Sequence, residues 1–174
     1  MYCLIAAEAA IFTIFVVAYL FYVGKSVSGP QPKDVLHAPI FYSICLLASS
    51  LTIHAAVAKL VVGQMAAFAR WWLLTILLGA TFLYGTAREW AHLIFDEGLT
   101  VSTNLFGTTY YSLVGLHAFH VTMGLLALTT VALFYFAASL RREHAERLEI
   151  LSMYWHFVDV VWIVVFAVVY VIGV

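Results

Sequence analysis

Residues 151–174 read LSMYWHFVDVVWIVVFAVVYVIGV, a run from Leu151 to Val174 in which His156 and Asp159 are the ionisable side chains. A helix needs about 20 apolar residues to cross the hydrocarbon of a bilayer, and this run supplies them. Its apolar residues lie on every side of a helix rather than along one stripe, which suits lipid or a bundle interior. It also lacks the strand-like alternation of a membrane β-barrel.

Working outward, four more apolar runs precede it, at roughly 2–23, 39–62, 71–94 and 110–140. Proline, glycine and charge gather between the runs, as in the first connection with Gly24, Lys25, Gly29, Pro30 and Pro32. The expected fold is all-α: a polytopic membrane helix bundle with five transmembrane helices, the last at 151–173, in one transmembrane domain over 1–174. Composition agrees. The 174 residues are 65% apolar and 10% charged, against about 25% charged in ordinary soluble domains. Nine acids and eight bases give a net charge of −1, so no nucleic-acid partner is expected. Cys3 and Cys45 both lie in apolar runs and define no disulfide framework. The first run is too long for a cleavable signal and has no basic leader, so it is expected to remain as a helix.

The bases set an orientation. The second and fourth connections carry Lys59, Arg70, Arg141, Arg142 and Arg147, whereas the first and third carry Lys25 and Lys33. The positive-inside rule then places the N-terminus in the cytoplasm and the C-terminus outside.

Ionisable residues inside the runs need partners, because a charge at the centre of a spanning helix costs about 2.5–3.5 kcal/mol on insertion scales. They are Glu8, Arg88, Glu89 and Asp159, with His54, His92, His117, His120 and His156. Glu89 and His92, His117 and His120, and His156 and Asp159 each stand three apart, so each pair shares a helical face. Paired carboxylates and imidazoles on facing helices can build di-iron centres, and histidines from two helices can ligate haem. However, the di-iron pattern wants two Glu-x-x-His repeats, and only Glu89–His92 fits. The plainer reading is hydrogen bonding between helices in a medium without water, together with lipid contact, and proton transfer is a third reading. Arg88 and Glu89 point about 100° apart on a helix, so each is expected to meet a partner on another helix or subunit. A basic residue near a helix end, such as Arg141 or Arg142, could hold a lipid phosphate. These residues form no nucleophile–base constellation or nucleotide loop.

Tyr154–Trp155–His156–Phe157–Val158–Asp159–Val160–Val161–Trp162 resembles the signature near the end of subunit III of haem–copper cytochrome c oxidases, and Glu149 matches a glutamate of that family. Gly115–Leu116–His117–Ala118–Phe119–His120–Val121 is similar to its Gly-Phe-His-Gly-x-His-Val element. Leu78–Gly79, Ala87–Arg88–Glu89–Trp90 and Leu46–Leu47–Ala48–Ser49 also resemble family segments. Glu8–Ala9–Ala10–Ile11–Phe12 looks like the element around the family's intramembrane glutamate, with Ala7 replacing a serine. The chain resembles the short bacterial members that lack the first two of seven spans. It departs where family histidines are replaced by Ala56, Val57 and Ala58, with His54 offset nearby.

The resemblance implies a core subunit of an oxygen-reducing, proton-translocating terminal oxidase in the bacterial inner membrane. No catalytic centre, metal or cofactor is expected in this chain, with haem and copper held by partner subunits. Subunit I, subunit II in the same complex, membrane phospholipids and a respiratory supercomplex are the partners it suggests. Glu8 and Glu89 would be carboxyls of a lipid cleft that supports proton uptake, and Arg141 or Arg142 would hold a lipid phosphate. Arg88, His92, His117, His120, His156 and Asp159 are expected to pack as intramembrane polar groups. Competing readings are an accessory subunit of a bacterial nitric oxide reductase, an independent metal or haem enzyme of the membrane, and a small transporter.

Overall fold

Hydrocarbon offers no water to backbone N–H and C=O groups, so a long apolar run closes its own hydrogen bonds as a helix. The computed structural model describes residues 1–25, 29–30, 32–36, 38–137, 140 and 142–173, with the side chains of residues 33, 34 and 142 outside that description. In chain order the helices are α1 (Tyr2–Tyr22), the short α2 (Pro32–Val35), α3 (Ile40–Val61), α4 (Met65–Phe95) and α5 (Leu105–Phe136). A 3₁₀ turn (Arg142–His144) then leads into α6 (Ala145–Phe166), which continues as a π-helical segment (Ala167–Ile172). Among the described residues there is no strand, and five helices are long and apolar enough to cross a membrane. The chain is an all-α, multi-pass membrane protein.

Capping rather than hydropathy sets the helix ends. At the end of α3, Gly63 adopts φ +78. Its N–H bonds Leu60 O at 2.9 Å while Gln64 N–H bonds Lys59 O at 2.9 Å, the paired bonds of a Schellman motif. The next helix begins at Met65 rather than at Trp71, because residues 65–70, although containing Arg70, have good helix formers and no breaker. α5 begins at Leu105 because Asn104 Oδ1 accepts the N–H of Gly107 at 2.8 Å, satisfying a donor left open at a helix start. The same Asn104 donates through Nδ2 to Pro30 O at 3.1 Å.

The chain divides into two compact units. The first comprises residues 40–84 and 120–159, with Met1. Its centre is Trp155, fully buried, whose indole N–H donates to Ser49 Oγ at 2.8 Å. A Cβ on Gly124 would come within 2.7 Å of the Trp155 ring, and one on Gly79 within 3.0 Å. Glycine at both places therefore makes the slot for the indole. Trp72 Nε1 donates to Leu128 O at 2.9 Å, and the hydroxyls of Thr52 and Thr75 meet at 2.7 Å. Helices in lipid gain little from apolar burial against one another, so close packing and such hydrogen bonds hold them together.

The second unit comprises residues 2–39, 85–119 and 160–174. Here Tyr19, Phe106, Tyr110, Leu113 and Val169 are fully buried. His117 stacks on Trp162 with ring centroids 4.8 Å apart, and Phe12 meets the same imidazole edge-on at 6.5 Å. Tyr111 donates to Leu99 O at 2.8 Å, tying α5 to the connection before it.

Candidate functional site

Among the described residues, each unit holds a polar cluster around a carboxyl group. In the first unit, one hydroxyl on α3 joins two groups on α6. Ser50 donates to Asp159 Oδ2 and meets His156 Nδ1 at 2.9 Å. A serine has a single proton to give, so a Ser50 that donates to Asp159 must accept from Nδ1–H. That assigns the proton of a neutral His156 to Nδ1 and leaves Nε2 as the acceptor for Ser152, whose hydroxyl lies 3.3 Å away. Asp159 is 3% exposed, and its Oδ1 has no hydrogen-bond partner among the described residues. His156 and Asp159 do share a helical face, and the group they both bind is Ser50.

In the second unit Glu89, half-buried, is held by two tyrosines. Tyr170 in the π-helical segment donates to Glu89 Oε1 at 2.7 Å, and Tyr110 on α5 donates to the same oxygen at 3.1 Å. The two hydroxyl oxygens are 3.4 Å apart. A carboxylate that accepts two phenolic protons is a charge-assisted, three-element junction.

The other sequence candidates separate. His117 is buried in the second unit and His120 in the first. His120 contributes its backbone carbonyl, which accepts from Tyr154 OH at 3.3 Å. Glu8 is half-buried on α1, one turn before Phe12. Arg88 and His92, expected among the packed polar groups, are instead exposed, and His92 lies 3.8 Å from Asp96. The reason is the length of α4. At about 1.5 Å per residue, Arg88 lies about 27 Å along the axis from Arg70, close to the full thickness of a bilayer core of about 30 Å. Arg88 thus stands about five turns beyond Arg70, in the last third of the 31-residue helix. Arg141, and the side chain of Arg142, lie outside the described residues. A groove of about 390 Å³ is lined by Val131, Phe134, Leu140, His144, Arg147 and Leu148.

Sequence reading missed Ser50, Ser152, Tyr110 and Tyr170, the partners that complete both clusters. Hydroxyls are common in spanning helices and carry no charge anomaly, so only their position opposite His156, Asp159 or Glu89 reveals them. Among the described residues no group of three or more His, Cys, Asp or Glu is placed to hold a metal ion.

A multi-pass helix bundle in which Glu89, His156 and Asp159 are bound to hydroxyls of neighbouring helices is an integral membrane protein with internal polar junctions. Comparison with known proteins gives the family. The family model described as cytochrome c oxidase subunit III matches residues 4–174. Cytochrome c oxidase subunit 3 of Alkalihalophilus pseudofirmus is 32% identical over 172 residues, covering 98% of this chain and 84% of that protein. The same-named protein of Corynebacterium diphtheriae is 39% identical over 147 residues, covering 84% and 71%. Cytochrome bo(3) ubiquinol oxidase subunit 3 of Pseudomonas aeruginosa is 33% identical over 168 residues, covering 95% and 80%. The chain belongs to the cytochrome c oxidase subunit III family.

Proposed function

We propose that this chain is subunit III of a haem–copper terminal oxidase of the bacterial cytoplasmic membrane, a core component without a redox centre of its own. The observation that carries the reading is the match over residues 4–174 to a family whose similar members are named as third subunits of oxidases. In this reading haem and copper belong to partner subunits, subunit I with subunit II in the same complex. The chain holds phospholipid and sustains proton uptake by the catalytic subunit.

The polar clusters support a scaffold role. The His156–Ser50–Asp159 and Tyr110–Glu89–Tyr170 junctions tie helices together by bonds that water cannot replace in hydrocarbon. The groove beside α6 has the composition of a lipid seat. Its walls are mostly aliphatic and aromatic, and His144 and Arg147 supply basic groups where a phosphate would lie. The bias of Lys and Arg toward the second and fourth connections supports a cytoplasmic N-terminus and an external C-terminus.

Mild-detergent purification through a tag on this chain tests the reading, with absorption spectra and peptide identification of what accompanies it. An oxygen-reducing partner whose haem spectrum belongs to the complex and is missing from the separated chain is the expected result. A nitric oxide reductase partner would replace the reading with its nearest competitor. Haem or metal travelling with the chain alone would overturn it.

A further inference from the structure

The cluster on α3 and α6 admits two arrangements of protons on one set of heavy atoms. In the first, Asp159 is a carboxylate that accepts from Ser50, Ser50 accepts from His156 Nδ1–H, and His156 Nε2 accepts from Ser152. The reverse order uses the same contacts. Asp159, as a carboxylic acid, donates through Oδ2 to Ser50, Ser50 donates to Nδ1, and Nε2–H donates to Ser152. No side chain has to move, because a hydroxyl both donates and accepts, and the two imidazole nitrogens can exchange those roles. The reversed arrangement holds one proton more.

The surroundings of Asp159 suit a carboxyl that can give up its charge. The side chain is 3% exposed and Oδ1 has no hydrogen-bond partner among the described residues. Among those residues its one hydrogen bond comes from Ser50, and no lysine or arginine pairs with it. A buried charge needs more partners than that, whereas the carbonyl oxygen of a neutral carboxyl loses less by standing alone. His156 is half-buried, so the cluster is reached from outside at the imidazole and not at the carboxyl. The titratable neighbour of the cluster among the described residues is His54 of α3, one turn beyond Ser50, which interacts with His156.

We propose that His156, Ser50 and Asp159 form a proton-binding site within the helix bundle, loaded at His156 and filled at Asp159 by relay through the Ser50 hydroxyl. A proton from solvent water bonds to Nε2 of His156. The Nδ1–H bond then breaks as its proton passes to Ser50 Oγ, and the original Ser50 O–H proton passes to Asp159 Oδ2. Imidazole and serine end neutral, the ring N–H has moved from Nδ1 to Nε2, and the carboxylate has become a carboxylic acid. The cluster gains one proton and loses one negative charge, and no electron moves. The site uses this chain's own residues and stands independently of the subunit reading.

The test uses the full-length chain, purified in mild detergent with whatever accompanies it, and infrared difference spectra between alkaline and acidic buffer. On acidification a carboxylic C=O band should appear, together with a change of imidazole ring bands from the Nδ1-protonated to the Nε2-protonated form. Asp159→Asn should lose the C=O band, and Asp159→Glu, which keeps a carboxyl, should move it, so the assignment does not depend on the Asn variant folding. His156→Gln should lose the imidazole change. Ser50→Ala should lose it too, whereas Ser50→Thr, which keeps a hydroxyl, should retain it. A C=O band that does not respond to pH, or that neither Asp159 substitution alters, overturns proton binding at Asp159. A C=O band without the imidazole change, or an imidazole change that survives in Ser50→Ala, overturns the relay. A cluster that only ties α3 to α6 would show neither signal.

Discussion

Ser50 is the residue on which the first cluster turns, since a single hydroxyl engages both a carboxylate and an imidazole. Ser50→Ala leaves both groups without that partner, and each buried polar group so orphaned costs about 1–3 kcal/mol. Asp159→Ala instead removes a group whose Oδ1 is already unsatisfied, and it leaves Ser50 bonded to His156. Ser50→Ala should therefore destabilise the protein at least as much as Asp159→Ala, and thermal unfolding in detergent should show that order. The reverse order would mean that Asp159 has a stronger partner than Ser50. Glu89 is a different case. In Glu89→Ala the hydroxyls of Tyr110 and Tyr170, already 3.4 Å apart, can turn to each other, so assembly should survive. If Glu89 and Glu8 support a lipid cleft, Glu8→Ala and Glu89→Ala should leave the haem spectrum of the complex intact. Bound phospholipid should fall, or activity should decay faster during turnover. Unchanged lipid content and unchanged decay in both variants would remove these carboxyls from that role.

Among the elements, α6 depends most on a fit that hydropathy does not describe. Its Trp155 ring lies against Gly124 of α5 and Gly79 of α4 and bonds Ser49 of α3, so four helices meet at one side chain. Gly124→Ala puts a methyl group within 2.7 Å of that ring. Overpacking of this kind costs about 1–3 kcal/mol, and the loss should appear as a lower thermal midpoint with the five helices still inserted. No change in stability would show that α6 can shift past α5 at little cost. The spans themselves were legible in the sequence because lipid selects for apolar runs, and 151–174 declares itself by length alone. The ends were less so. Met65 and Leu105 begin helices at places set by Gly63 and Asn104 through backbone hydrogen bonds, which a hydropathy reading does not see. The same limit applied to the site. Spacing of three put His156 with Asp159 on one face of α6, but it could not show Ser50 of α3, the group that both bind. Spacing records the face of one helix, whereas the partner belongs to another.

At the scale of the whole molecule, the family match and the five spans leave one property resting on charge alone, the sense of insertion. Lys59 in the last turn of α3 and Arg70 near the start of α4 flank the second connection, Arg141 and Arg142 stand in the fourth with Arg147 in the first turn of α6, and Lys25 and Lys33 belong to the first. Short basic connections resist translocation, while acids such as Asp96 and Glu97 in the third contribute little. With both native cysteines replaced, a Glu97→Cys variant should react with a membrane-impermeant thiol reagent applied to intact cells. A Glu143→Cys variant should react only after the membrane is opened. Both positions are exposed, so a negative result reflects the side of the membrane rather than burial. The opposite pattern would invert the topology. It would also place the groove beside Arg147 at the outer leaflet, where the anionic surface potential of the cytoplasmic face does not draw phosphate and base together. The direction of insertion thus decides whether that groove can be a lipid seat of the kind proposed, and the two cysteine variants test the arrangement before any lipid is measured.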